Sequence, residues 1–276
     1  MTATHSQLVF LKLGGSLITD KSRPRSARLE VINRLATEIA SACAQKPSLR
    51  MIVGNGAGSF GHVPAQRYGT RQGVHSLDEW RGFAEVWHEA AALNRIVVEA
   101  LHSAGLPAVA FPPSACVVAR DGQVANWDLA PIRSALHAGL LPVVHGDVIF
   151  DTKRGGTILS TEDLFEHLAR QLSPGRILLA GLEEGVWADF PACTRLLDEI
   201  TPESLPQVAP ALGGSTATDV TGGMASKVQQ SLALAQALPG LEILIFSGEK
   251  HAQVEKALLG ERVGTLLRAN ILQKPI

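Results

Sequence analysis

Cysteine is scarce in this chain. Cys43, Cys116 and Cys193 are the only three in 276 residues, widely spaced and with no C-x-x-C pair. Such a set builds neither a disulfide framework nor a cysteine zinc site, and reads as buried or half-buried thiols in a reducing cytoplasm. Long apolar runs are missing too, none approaching the ~20 residues that cross a bilayer. The first residues carry no basic segment followed by an apolar stretch and a cleavage site, so a cytoplasmic location is expected. No charge sign dominates: 25 basic residues face 26 acidic ones, the formal net charge is −1, and no long like-charge block occurs. That balance excludes a nucleic-acid footprint and a membrane-surface helix. Any bound anion must therefore be held by local groups and not by a global positive field. The G-x-x-x-x-G-K-[ST] pattern is absent as well, which excludes a P-loop nucleotide site.

What remains is a globular composition, 46% hydrophobic and 18% charged. It suffices for one large α/β domain, or two lobes sharing a sheet. Apolar runs bounded by glycine alternate with longer helical patterns. Leu8 to Leu11 reads as a buried strand, Leu29 to Ala44 as a helix, and Leu49 to Val53 as a second strand. Ser76, with Glu79 three residues on, predicts the N-cap of a helix running to about Ser103. Short strands are expected at Pro107 to Phe111 and Leu141 to Val144, and a hairpin from Val148 to Leu159 turning at Arg154-Gly155-Gly156. Further strands are expected at Arg176 to Ala180 and Glu242 to Phe246. A turn-rich stretch from Pro191 to Thr218 and a helix from near Thr221 separate them. This alternation predicts a largely parallel sheet covered on both faces, a three-layer αβα sandwich, with ligands at the carboxyl ends of its strands. Pro174-Gly175 is the expected lobe boundary, dividing 1–173 from 174–276.

Three glycine-rich turns fall at strand-to-helix junctions: Gly14-Gly15-Ser16, Gly54 to Gly61, and Gly222-Gly223. Glycine lets the backbone approach a ligand closely, and helix N-termini present free N–H groups to phosphate. Lys12 ends the first strand beside one turn, and Lys227 lies in the first turns of the helix after another. Each is placed to put an ammonium on a phosphate held by its own loop, as phosphoryl transfer requires. Asp163 is expected to sit between the two lysines and fix them by charge-assisted bonds. Gly56 to Gly61 also matches G-x-G-x-x-G, with Asp78 and Glu79 downstream, which keeps a dinucleotide enzyme as an alternative. That match follows the second strand, however, and leaves the other two glycine turns and their lysines unexplained.

These residues resemble a known family. Lys12-Leu13-Gly14-Gly15-Ser16-Leu17-Ile18-Thr19-Asp20-Lys21 is similar to the opening motif of the isopentenyl phosphate kinases, within the amino acid kinase superfamily. Gly58-Ser59-Phe60-Gly61-His62, His145 to Asp151, and Asp219 to Met224 with Lys227 resemble that family's later motifs, in the same order. The resemblance implies the amino acid kinase fold, usually a homodimer, with the acceptor in the N-terminal lobe and Mg-ATP in the C-terminal lobe. The implied reaction is ATP-dependent phosphorylation of isopentenyl phosphate, a step of isoprenoid precursor synthesis, with Mg2+ held mainly by the nucleotide phosphates and no dedicated protein metal site.

By position, Lys12 and Lys227 would stabilise the transferring phosphoryl group, Lys21 would lie near the γ-phosphate, and Asp163 would organise the lysines. Gly14, Gly15, Ser16, Glu184, Gly185, Val186, Trp187, Gly222 and Gly223 would hold ATP. Glu184 and Trp187 stand where the family usually has aspartate and tyrosine. Gly56, Ala57, Gly58, Ser59, Gly61, His62, Gly146 and Asp147 would hold the acceptor. His62 is the discriminating residue, because relatives that phosphorylate carboxylates generally lack it, and imidazole charge adjusts near neutral pH as phosphate charge builds. His145 reads as structural. Candidate walls for an apolar tail are Phe83, Val86, Trp87, Ala90 and Leu93, with the 149–158 hairpin as a cover. A fosfomycin-type kinase and a non-catalytic binder on the same fold are the competing readings.

Overall fold

The computed structural model describes residues 8–212 and 223–269. The first part runs β1 (Leu8–Leu13), α1 (Gly15–Ile18), α2 (Leu29–Gln45), β2 (Arg50–Asn55), α3 (Gly58–Tyr68), α4 (Leu77–Ser103), β3 (Ala108–Ala110), α5 (Pro113–Cys116), β4 (Val117–Arg120), β5 (Gln123–Trp127), α6 (Ala130–His137), β6 (Leu141–His145), β7 (Asp147–Asp151), β8 (Gly155–Leu159) and α7 (Thr161–Leu172). The second part runs β9 (Arg176–Gly181), β10 (Glu199–Ile200), α8 (Leu205–Val208), α9 (Gly223–Ala237), β11 (Glu242–Ser247), α10 (Gln253–Leu259) and β12 (Thr265–Arg268).

Eight strands form one sheet in the order β10-β12-β11-β9-β1-β2-β6-β3, parallel throughout except for the antiparallel β11–β12 pair. The sequence on either side of Pro174-Gly175 therefore shares one sheet, since β9 pairs with β1 at its centre. Strand residues alternate between faces, and the two packed cores show the consequence. Val9, Leu11 and Leu13 join a cluster with Ile32 and Leu35 of α2, Leu93 and Val97 of α4, and Val254 of α10. Phe10 joins the opposite cluster with Ile132 of α6, Leu164 and Phe165 of α7, and Val228 and Leu232 of α9. Helices thus cover both faces, the expected αβα sandwich. The Phe10 and Phe165 rings, 5.0 Å apart, pin α7 to the middle of the sheet, a pair worth about 1 kcal/mol beyond burial.

That alternation decides where Lys12 goes. It lies on the Phe10 face, two residues along the same strand, and so points toward α7 and α9. Two capping boxes fix helix starts. Ser76 accepts from the Glu79 N–H while Glu79 accepts from the Ser76 N–H, as expected, and Ser160 and Asp163 make the same reciprocal pair at α7.

A second, four-stranded sheet in the order β5-β4-β7-β8 was not legible beyond its β7–β8 hairpin. Its tip is organised by Asp151, whose carboxylate accepts four backbone N–H bonds: from Asp121 (3.0 Å), Gly122 (2.7 Å), Lys153 (2.8 Å) and Arg154 (2.9 Å). Burial pushes this carboxyl up, but the four donors outweigh it and hold it at about 2. The Asp151 anion therefore stabilises the fold above about pH 4, and its contribution disappears as the pH falls toward 2. Asp151→Asn is expected to cost about 1–3 kcal/mol at neutral pH. The difference in melting temperature from the parent should narrow below pH 4, and a pH-independent difference would contradict this role.

Candidate active site

The carboxyl ends of β1, β2 and β9, with β6 beyond β2, border a cavity of about 450 Å³. Its floor is two glycine loops in backbone contact. A Cβ built on Gly15 would lie 2.5 Å from the Gly58 nitrogen, and one on Gly56 would lie 2.9 Å from the Gly15 nitrogen. The junction is tied by Thr19, whose hydroxyl donates to the Gly15 carbonyl (2.7 Å) and accepts from the Ser59 N–H (2.9 Å). Gly14 closes the other side, its N–H donating to the Ala180 carbonyl of β9 at 2.8 Å. Gly15 and Ser16 open α1, and Gly58 opens α3, so the N–H groups of these three residues have no partner within their helices.

Lys12 forms an ion pair with Glu162, the second residue of α7. Burial pushes the Glu162 carboxyl up, but the ammonium groups of Lys12 and Lys227 outweigh it and hold it below the usual range. Glu162 is therefore an anion at neutral pH, shared between a strand lysine and a helix lysine. Asp163, expected in this position, is elsewhere. Its carboxylate accepts from the Ser160 N–H (2.8 Å) and from an Arg71 Nη2–H (3.3 Å). The physical reason is the capping box: the third helical residue must turn back toward Ser160, which leaves the second free to face Lys12. The Ser160-x-x-Asp163 spacing carried that signal.

Of the other expected residues, Gly14, Gly15, Ser16, Lys21, Gly56, Ala57, Gly58, Gly61, His62, Gly146, Asp147, Gly185, Val186, Trp187 and Lys227 all border the cavity. Ser59 is 6% exposed and turns away, its hydroxyl accepting from the Ser26 N–H, so it locks the start of α3 to the preceding loop. Asp147 touches the cavity, but its carboxylate is occupied by the N–H groups of Ser114 (3.0 Å) and Val148 (2.8 Å). It shapes the Gly146 turn and is no phosphate ligand. Glu184 turns outward to Lys250 (2.7 Å). Its neighbour Glu183 faces the cavity instead and accepts from the Trp187 indole N–H at 3.3 Å. Gly223 opens α9 with φ +70°, and Met224 and Lys227 of that helix reach the cavity. Gly222, with Asp219 to Thr221, lies outside the described residues.

Of the candidate tail walls, Val86 and Ala90 border the cavity together with Ala65, Ile158 and Leu159. Phe83 and Leu93 belong to packed cores, and Trp87 points outward at 46% exposure. His145 is buried between its neighbours, 3.6 Å from Asp147. Burial pushes it down and Asp147 opposes this, consistent with a structural residue. Asn55 braces the site from behind, accepting from Asn94 of α4 through its side chain (2.8 Å) and from the Thr161 hydroxyl of α7 through its carbonyl (2.7 Å).

The glycine contact yields a stability test. Gly15→Ala should destabilise by several kcal/mol, because the added methyl meets backbone that cannot yield. Gly181→Ala, where the added methyl meets nothing within 4 Å, should change stability by less than about 1 kcal/mol. Equal melting temperatures for the two variants would contradict the interlock.

Comparison with known proteins agrees with this geometry. The model of the amino acid kinase family matches residues 7–247. Isopentenyl phosphate kinase of Methanothermobacter thermautotrophicus is 38% identical over 267 residues, covering 93% of this chain and 97% of that protein. The enzyme of the same name from Methanocaldococcus jannaschii is 33% identical, covering 94% and 97%. A crystal structure of an isopentenyl phosphate kinase superposes with a TM-score of 0.79 at 32% identity, covering 94% of this chain and 99% of that one. With the sheet order, the paired lysines on one carboxylate and the glycine loops in place, the chain belongs to the amino acid kinase family, in the branch of the isopentenyl phosphate kinases.

Proposed function

We propose that this chain transfers the γ-phosphoryl group of ATP to the phosphate of isopentenyl phosphate, releasing ADP and isopentenyl diphosphate. The observation that carries the reading is the Lys12–Glu162–Lys227 cluster at the junction of the glycine loops. Phosphoryl transfer asks for in-line positioning and for positive charge where the transferring oxygens gain negative charge. Two ammonium groups held by one carboxylate supply that charge from fixed positions. Gly15 and Ser16 offer backbone N–H groups, Gly14 lines the same loop, and Lys21 adds a further ammonium for the donor phosphates. His62, with Gly56, Ala57 and Gly58, faces the acceptor phosphate. Val86, Ala90 and Ile158 offer an apolar wall of the kind a five-carbon tail needs, worth about 25 cal/mol per Å² buried.

Residues 1–173 take the acceptor in this reading and 174–276 take most of the nucleotide, with Gly185, Val186, Trp187 and Gly223 on the nucleotide side. Among the described residues no group of three or more His, Cys, Asp or Glu side chains is set to hold a metal ion. Mg2+ would enter on the nucleotide phosphates, keeping several waters, and would neutralise charge there. Homodimeric assembly and a cytoplasmic location complete the proposal and rest on the resemblance. Among the described residues no helix is long and apolar enough to cross a membrane.

The test is ADP formation with Mg-ATP against isopentenyl, dimethylallyl and geranyl phosphates, fosfomycin, glutamate and aspartate. Turnover should be strongest on prenyl phosphates. Silence on all of them, or preference for fosfomycin or an amino acid, would overturn the assignment. His62→Ala should raise the KM for the acceptor far more than that for ATP, and equal increases would make His62 structural. Lys12→Ala and Lys227→Ala are each expected to lower kcat by about 10²- to 10³-fold. Glu162→Gln should lower it by about a hundredfold through misplacement of the lysines. Near-parental turnover of Glu162→Gln would remove the carboxylate from the mechanism.

A further inference from the structure

Arg71 lies in the loop between α3 and α4, and no motif considered above contains it. Its backbone is anchored to the β7–β8 hairpin: its carbonyl accepts from the Thr157 hydroxyl at 3.0 Å. Three residues on, the Val74 N–H donates to the Arg154 carbonyl at 2.8 Å. The side chain reaches Asp163 at the start of α7. It borders the cavity, as do Ala65, Gln66 and Gln72. The geometry points to Arg71 as an acceptor-binding residue, whose guanidinium meets the acceptor phosphate from the α7 side while His62 meets it from α3.

Three observations support this. The Arg71–Asp163 contact is 3.3 Å, long for a charge-assisted bond, which is usually about 2.7–2.9 Å. It uses one guanidinium nitrogen, on a carboxylate oxygen that already accepts the Ser160 N–H. A guanidinium has five N–H donors in a fork that matches phosphate, so most of its donor capacity remains for a ligand. The side chain is 40% exposed although it borders the cavity, so a bound anion can reach it without displacing packed groups. Finally, Glu162 is adjacent in sequence to Asp163, which places the Arg71 guanidinium at the same helix end as the transfer cluster. Asp163 thereby serves as a rest for the guanidinium as well as a helix cap.

The inference rests on the acceptor reading proposed above, and the test separates the two. Steady-state kinetics would be measured for the full-length enzyme and for Arg71→Gln, Arg71→Lys and Asp163→Asn, varying isopentenyl phosphate and ATP separately. Melting temperatures would be recorded alongside. If Arg71 binds the acceptor phosphate, Arg71→Gln raises the acceptor KM at least tenfold and leaves the ATP KM and melting temperature unchanged. The factor should be the same for dimethylallyl phosphate, because the contact is to the shared head and not the tail. Arg71→Lys should recover only part of the loss, since an ammonium lacks the fork. Asp163→Asn, which keeps a capping oxygen and releases the guanidinium, should not raise the acceptor KM. An acceptor KM changed less than threefold by Arg71→Gln, a matching rise in the ATP KM, or the same defect in Asp163→Asn would each reduce Arg71 to a strap between loop and helix and overturn the proposal. Failure of the unsubstituted enzyme to use any prenyl phosphate would instead remove the acceptor reading itself.

Discussion

Two polypeptide loops can lie backbone against backbone only where neither carries a side chain, and the contact of Gly15 with Gly56 and Gly58 depends on that. A Cβ added at Gly15 or Gly56 would fall 2.5 or 2.9 Å from a backbone nitrogen of the facing loop. β1 and β2 are parallel neighbours in register from Leu8–Arg50 to Leu13–Asn55, so their ends arrive together. The missing side chains let the loops that follow close on each other. In the proposed reading the contact sets the spacing between the nucleotide side of the cavity and the acceptor side. In a reaction governed by in-line approach, that spacing matters more than any single bond.

The second ordering principle is the two-residue period of the strand. On β1 it sends Val9, Leu11 and Leu13 to the α2/α4/α10 core and Phe10 to the α6/α7/α9 core. Lys12 follows Phe10, and so emerges where α7 offers Glu162 and α9 offers Lys227. The Phe10–Phe165 ring pair holds α7 against the sheet, and the Ser160/Asp163 capping box fixes where that helix begins. A carboxylate exposed to two cations at the start of a capped helix stays ionised despite burial. Packing deep in the sheet thus determines the charge at its edge.

Much of this was legible in the sequence. The apolar runs between glycines gave the central strands within a residue or two, and Ser76 with Glu79 marked the start of α4. The glycine turns and their lysines located the cavity. Adjacent acidic residues were harder. Asp163 was expected to organise the lysines and Glu184 to face the nucleotide, and in each case the carboxylate on the preceding residue faces the cavity. At α7 the deciding feature is a local capping bond, visible in the sequence as Ser160-x-x-Asp163. At Glu183 and Glu184 it is a long-range pair with Lys250, which no local pattern announces. The β4–β5 pair escaped because its strands are short and half-exposed. Arg71 escaped because its loop has no motif at all. Its significance comes from the neighbours that the hairpin and α7 bring to it.

The central claim is that the site builds a phosphate-to-phosphate bond. Phosphorus NMR of a reaction containing Mg-ATP and isopentenyl phosphate reads that bond directly. The account predicts loss of the monophosphate singlet and growth of two mutually coupled doublets, in step with ADP. ADP formation that leaves the singlet unchanged, or that proceeds equally without the acceptor, would contradict it.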